Sequence, residues 1–292
     1  MIHISTADFS FDSTMNTLTT IFGKTDGIVI GVVHFPPLPG VENAAPLEMA
    51  LAHAVEDLRA FEKGGVDAII IENNYDLPHR IHVLPETVAA MTSLGTHIRS
   101  QTTLPIGVCV LWNDYASSFA VAKAIGGQFI RIPVFVDTVQ TDFGTITGDP
   151  TDVRKTRSAL QADDVAILAD VHVKHATILS KTSIAEAALL AQNEGADGVI
   201  VTGKWTGEPP SDDDLSSVRE ATGDLPIFAG SGANTENIGR ILHHANGVIV
   251  STSLKSGTAD AAERNVKSWM QRIDESRVRE LVERIHPSSL AL

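Results

Sequence analysis

The segment Gly64-Gly65-Val66-Asp67-Ala68-Ile69-Ile70-Ile71-Glu72-Asn73 decides the fold. Its glycines close a helical pattern that runs from Leu47 to Gly64, with small and apolar residues at helical spacing. Lacking a Cβ, glycine takes the left-handed backbone that ends a helix, so Gly64-Gly65 reads as a C-cap. Ala68 to Glu72 is then a short β-branched run, apolar without alternation and ending in charge, which is the pattern of a parallel strand buried on both faces.

The same unit recurs in both directions. Apolar runs fall at Gly27 to Val33, Ala68 to Glu72, Ile106 to Leu111, Phe129 to Val134, Val165 to Val173, Gly198 to Thr202, Ile227 to Ala229 and Gly247 to Ser251. Helical patterns lie between them at Pro85 to Gln101, Tyr115 to Ile125, Ser183 to Glu194 and Asp212 to Ala221, several ending in glycine, as at Gly126-Gly127 and Gly195. Eight alternations of strand and helix predict an α/β protein, a single parallel eight-stranded (β/α)8 TIM barrel. An open doubly wound sheet is the alternative, but no GxGxxG follows the first strand. No linker or composition break divides the 292 residues, so residues 1–292 read as one domain. Residues 1–25 form an extension expected to pack across the barrel bottom, and 259–292 carry the closing C-terminal helix, Ala259 to Ile285. Asp137 to Arg157 reads as a long loop, either a lid or a mobile insertion.

With 43% hydrophobic and 20% charged residues the chain can build a large core. Its net charge of −14 opposes the basic surface a nucleic-acid binder needs, and any anionic ligand must be held by a local cluster of donors. The lone Cys109 excludes an intrachain disulfide, fits a reducing compartment, and reads as a buried, inert thiol. No apolar run reaches membrane-spanning length and no secretory leader pattern opens the chain, so a cytoplasmic protein is expected.

In such a barrel the strand C-termini meet at one mouth, and the polar residues ending each run gather there. On the fifth run Asp170, His172 and Lys174 alternate, which would send all three inward. Ionisable groups on the inner face of an apolar strand need partners or a task. The open readings are an ordering Asp170–Lys174 salt bridge, or proton transfer by Asp170 and His172 with Lys174 as cation or Schiff-base nucleophile. Glu72 joins the catalytic candidates, and so does His34, for which a packing role is equally open. Asp170, His172 and Glu72 could instead hold a divalent metal, although no HxH or HExxH spacing supports one and the cofactor stays unassigned. Asn73, Asn113, Arg131, Thr202 and Lys204 are candidates for substrate binding. After the seventh run, Gly230-Ser231-Gly232-Ala233-Asn234 forms a Gly-rich turn ahead of a helix expected near Thr235 or Glu236, a shape that presents N–H groups to an anion. With Ser251 and Ser253 after the eighth run, Gly230, Ser231, Gly232 and Asn234 make the predicted phosphate site. Pro36 to Gly40 stiffens one wall; Trp112 and Trp205 sit at strand ends, and Trp205 could stack on a base or sugar or simply pack.

The strings Gly31 to Gly40 (with His34-Phe35-Pro36-Pro37-Leu38-Pro39-Gly40), Gly64 to Asn73, Ala169 to Ala176 (with Asp170-Val171-His172-Val173-Lys174-His175) and Ser251 to Lys255 resemble the BtpA family. The resemblance spans Gly27 to Lys255; it departs at Asn74 and Tyr75 to His79, and in the loop after the fourth strand. It implies a ribulose-phosphate-binding type of barrel. The family takes its name from a factor in photosystem I biogenesis, and a second branch occurs in bacterial sugar-metabolism gene clusters. The sequence therefore predicts an enzyme acting on a phosphorylated sugar or nucleotide-like compound by acid–base chemistry, such as isomerisation, lyase cleavage or glycosidic cleavage. The rivals are a non-enzymatic assembly or stability factor and a phospho-ligand sensor. Barrels of this kind often pair, so a homo-oligomer, a dimer, is expected.

Overall fold

Eight parallel strands close into a barrel: β1 (Ile28–His34), β2 (Ala68–Glu72), β3 (Ile106–Cys109), β4 (Phe129–Ile132), β5 (Ala166–Val171), β6 (Gly198–Val201), β7 (Ile227–Ala229) and β8 (Gly247–Val250). Each pairs with its neighbour in sequence, and β8 returns to β1 through Ile28 to Gly31 against Gly247 to Val250. The computed structural model describes residues 17–257 and 268–287. The barrel is ringed by α2 (Leu47–Gly64), α3 (Pro85–Arg99), α4 (Tyr115–Ile125), α5 (Pro150–Ala159), α6 (Ile184–Asn193), α7 (Asp212–Thr222), α8 (Ile238–Ile241) and α9 (Glu275–Ile285), after a short leading helix α1 (Thr17–Phe22).

Parity along the strands sorts the core into two layers. Ile28, Ile30, Val32, Ala68, Ile70, Cys109, Phe129, Leu168, Ile200, Phe228 and Ile249 fill the barrel. Their neighbours Val29, Val33, Ile69, Ile71, Val108, Ile130, Ile167 and Val199 pack outward under the helices. Alternation continues to the strand ends and places His34, Glu72, Arg131, Asp170 and Ser251 on the inner parity. Cys109 is fully buried in the inner layer, and burial pushes its thiol well above the usual range. At the N-terminal end, α1 plugs the barrel. Leu18 is buried there, and the Phe22 ring meets Phe129 and Phe228 edge-on at 5.6 and 6.0 Å.

Local chemistry fixes the helix ends. Gly65 (φ 89°) and Gly126 (φ 70°) cap α2 and α4 in the left-handed region. Ser183 and Glu186 form a reciprocal capping box on α6, and Asp114, Asp149 and Ser211 cap α4, α5 and α7.

Four expectations are corrected. Asp137 to Arg157 is not a loop: Thr138–Thr141 and Gly144–Thr147 form an antiparallel hairpin, Thr177–Ile178 adds a third strand, and α5 follows from Pro150. The hairpin stands over the mouth on its own cluster of Trp112, Val134, Val139, Ile146 and Val173. The fifth strand stops at Val171, because His172 turns into the left-handed region at φ 50°. The helix after the Gly-rich turn is only Ile238–Ile241, since Asn234 accepts from the Glu236 and Asn237 N–H groups in a turn of its own. The last helix starts at Glu275, where Asp274 caps Ser276 and Arg277. The preceding stretch pairs Ile273 with Lys255 instead, and residues 1–16, 258–267 and 288–292 lie outside the described residues.

Candidate functional site

A cavity of about 750 Å³ opens at the C-terminal ends of the strands. Its floor holds a hydrogen-bonded chain. Glu72 and His34 are register partners on β2 and β1, and His34 Nε2 lies 3.3 Å from Glu72 Oε1. The other ring nitrogen, Nδ1, lies 3.3 Å from the Ser251 hydroxyl. Burial lowers the His34 pKa and favours the neutral ring, with the cations Lys255 and Lys174 adding to the effect against the opposing pull of Glu72. A neutral His34 that donates from Nε2 to Glu72 leaves Nδ1 free to accept the Ser251 proton. Burial alone would raise the Glu72 pKa, but the His34 hydrogen bond, Arg131 and Lys174 hold it at about 2. Glu72 Oε2 is buried and has no hydrogen-bond partner; Arg131 Nη1 stands 3.7 Å away.

Arg131 and Asp170 form a buried fork, Nε to Oδ1 and Nη2 to Oδ2 both at 2.8 Å. Asp170 is 1% exposed and does not line the cavity, so its carboxylate anchors the guanidinium. The expected Asp170–Lys174 bridge is thus replaced by an Asp170–Arg131 pair. Lys174 does line the cavity. Its backbone N–H donates to Thr202 Oγ1 at 3.1 Å, and its amine approaches the Gly230 carbonyl at 3.4 Å. Burial, reinforced by Arg131, lowers its pKa to about 8.

His172 is not part of this group. Its N–H donates to Asp137 and its ring contacts the Thr182 carbonyl at 3.1 Å, so Asp170, His172 and Lys174 do not share one face. Nor do Asp170, His172 and Glu72 converge, and among the described residues no three His, Cys, Asp or Glu side chains gather as a metal set. Asn73 and Asn113 are loop clamps: Asn73 accepts from Leu111 N–H at 2.7 Å, while Asn113 both accepts from and donates to the Val134 backbone at 2.9 Å. Lys204 reaches the cavity beside Trp205.

Across the mouth lie the turns after β7 and β8. The Ser231 hydroxyl accepts from Gly203 N–H and donates to the Glu208 carbonyl, and that of Ser253 donates to the Ala233 carbonyl. These side chains shape the loops from within. Among the described residues, the N–H groups of Gly232, Ala233, Thr252 and Ser253 meet no protein acceptor, and these residues line the cavity. A four-residue α8 contributes little dipole, so any anion-binding capacity rests on the loop N–H groups. Sequence reasoning missed His79 and Phe143 on the wall of the cavity, while His175, which follows the fifth run, does lie there. The motif string contained His175, but the hairpin that delivers Phe143 was read as a loop.

Fold and site together define a TIM-barrel protein with a cavity of mixed polar and aromatic lining at the strand C-termini. The chain belongs to the BtpA family, whose profile matches residues 25–287. The Photosystem I biogenesis protein BtpA of Synechocystis is 40% identical over 235 residues, covering 80% of this chain and 82% of that one. Solved structures share the fold. N-(5'-phosphoribosyl)anthranilate isomerase of Pyrococcus furiosus aligns at TM-score 0.53 and 15% identity over 90% of this chain and 100% of its own. (S)-3-O-geranylgeranylglyceryl phosphate synthase of Thermoplasma acidophilum, in complex with sn-glycerol-1-phosphate, aligns at TM-score 0.54 and 15% identity over 94% and 100%. Among the described residues no helix is long and apolar enough to cross a membrane.

Proposed function

We propose that the chain is an enzyme acting on a phosphorylated sugar or nucleotide-like small molecule, by acid–base chemistry at the barrel mouth. The observation that carries this is the Ser251–His34–Glu72 chain, set beside unoccupied backbone donors and the Lys174 amine. The phosphate docks on the N–H groups of Gly232, Ala233, Thr252 and Ser253. His34 takes the proton, directly or through Ser251, while Glu72 fixes its tautomer and stabilises the imidazolium. Lys174, titrating near neutrality, polarises or protonates the reacting oxygen. Asp170 is a positioning residue that acts through Arg131. The fold neighbours' printed names, a phosphoribosyl compound and a glycerol phosphate, lend support by analogy of fold. The whole chain works as one domain, in the cytoplasm, as a homodimer that light scattering can weigh.

A thermal-shift screen against phosphosugars, nucleoside monophosphates and inorganic phosphate identifies the ligand class, and turnover of the hit tests the roles. We expect His34→Gln and Lys174→Met to lower kcat by roughly 10²–10⁴ while the fold persists. Full turnover in both variants overturns the assignment.

The name of the Synechocystis relative favours a second reading, an assembly factor whose working surface is the outside of the barrel. It predicts that these mouth substitutions leave function intact and that changes on exposed helix faces abolish it. A ligand that binds tightly without turnover would instead mark a sensor.

A further inference from the structure

We infer that the ligand carries, opposite its phosphate, a planar nitrogenous ring of the kind found in nucleoside monophosphates. This rests on the phosphate reading above and narrows it. Order around the barrel sets β7 and β8, with the unpartnered N–H groups, diametrically across from β3 and β4. The wall there is built of rings. Trp112 follows β3, Phe143 hangs from the hairpin after β4, and His79 stacks edge-on to Phe143 at 5.1 Å. On the flank after β5 and β6, His175 and Trp205 lie with centroids 5.5 Å apart, tied by a 2.8 Å contact between His175 Nε2 and Thr206. All five line the one cavity.

The neutral rings of this wall favour a heterocycle over the main alternative, a second phosphate. Burial lowers both His79 and His175 to about 4, so both rings are neutral at physiological pH; Asp142 lines the same cavity. A bisphosphate would set its second phosphate against these neutral rings, with Lys204, beside Trp205, as the lysine on that side. A bare pentose phosphate meets a different mismatch, because a cavity of about 750 Å³ would surround its far end with water held against aromatic faces. A flat heterocycle fills that end, stacks on the aromatic faces, and offers a ring nitrogen to His79. Both imidazoles have a buried Nδ1 without a partner. For His79, the tautomer protonated on Nε2 buries only an acceptor and keeps an N–H for a ligand.

The test is calorimetric titration of the full chain with inorganic phosphate, ribose 5-phosphate, ribose 1,5-bisphosphate and purine and pyrimidine nucleoside monophosphates, followed by the same titrations of Phe143→Leu. At least one monophosphate should bind about tenfold or more tighter than ribose 5-phosphate. Phe143→Leu, which keeps an apolar residue under the hairpin, should shrink that ratio to within about threefold. Ribose 5-phosphate or the bisphosphate binding as tightly as every nucleotide overturns the ring, while the phosphate reading survives. Binding of none of the phosphate compounds overturns both.

Discussion

Two residues carry testable consequences on their own. Gly232 sits at φ 65°, and a Cβ there would stand 2.2 Å from the Pro209 nitrogen. Gly232→Ala should therefore incur about 1–2 kcal/mol of left-handed strain, push the turn off the neighbouring loop and weaken phosphate binding while the barrel still folds. Unchanged affinity in calorimetry would mean that the turn is not the anion site. Lys174 offers a pH signature. Its amine titrates at about 8 instead of 10.5, so between these values the unfolded chain holds a proton that the folded chain has released. Stability then rises with pH across that window, because the unfolded state binds more protons there. The melting temperature of the native protein, minus that of Lys174→Met, should climb from pH 8 to pH 10, and a flat difference would show that the amine is not desolvated. A rate that needs the ammonium should fall above about pH 8. In the sequence, strand parity already placed Asp170 inside, and position at a strand end brought Glu72 and His34 to the mouth. The partners were not legible, since Arg131 and Asp170 lie one strand apart in space but 39 residues apart in the chain, and a positive φ at His172 leaves no mark in an Asp-Val-His-Val string.

At the scale of elements, α1 shows how a short helix can matter by where it lies. Leu18 is 1% exposed at the base of the inner layer, with Ile21 and Phe22 packed beside it. Leu18→Ala should cost about 2–5 kcal/mol in urea unfolding. Ligand affinity at the opposite mouth should be unaltered, and a loss below about 1 kcal/mol would mean the plug is not part of the cooperative core. The barrel strands were legible because burial on both faces forces unbroken Val and Ile runs, and the helices because Gly65, Gly126, Ser183 and Ser211 mark their ends. The hairpin over the mouth was not. Its strands are four residues long, rich in threonine and half exposed, and their third partner, Thr177–Ile178, arrives from beyond the next barrel strand. The start of α5 did carry a signal, Asp149-Pro150, a cap followed by a proline at the first helical position.

Over the whole molecule the electrostatics oppose the ligand that the mouth is built to take. The chain carries a net charge of −14, while Lys174, Lys204 and Arg131 line the cavity and Glu72 and Asp170 offset part of their charge. Which field a phosphate ester feels depends on the screening length, about 30 Å at 0.01 M salt and about 8 Å at 0.15 M. At low salt the longer length spans the barrel, so an approaching anion meets the repulsion of the full surplus of acids. At 0.15 M only the groups around the mouth still act, where Lys174, Lys204, Arg131 and the backbone donors stand against Glu72 and Asp142. The association rate of a phosphorylated ligand should consequently rise as salt is raised from 0.01 to 0.15 M, opposite to the fall expected for an anion steered toward a basic surface. Stopped-flow fluorescence of Trp205, which lines the cavity, can read this rate directly. A rate that falls with salt would show that the mouth's cations dominate at long range and that the acidic surface does not gate entry.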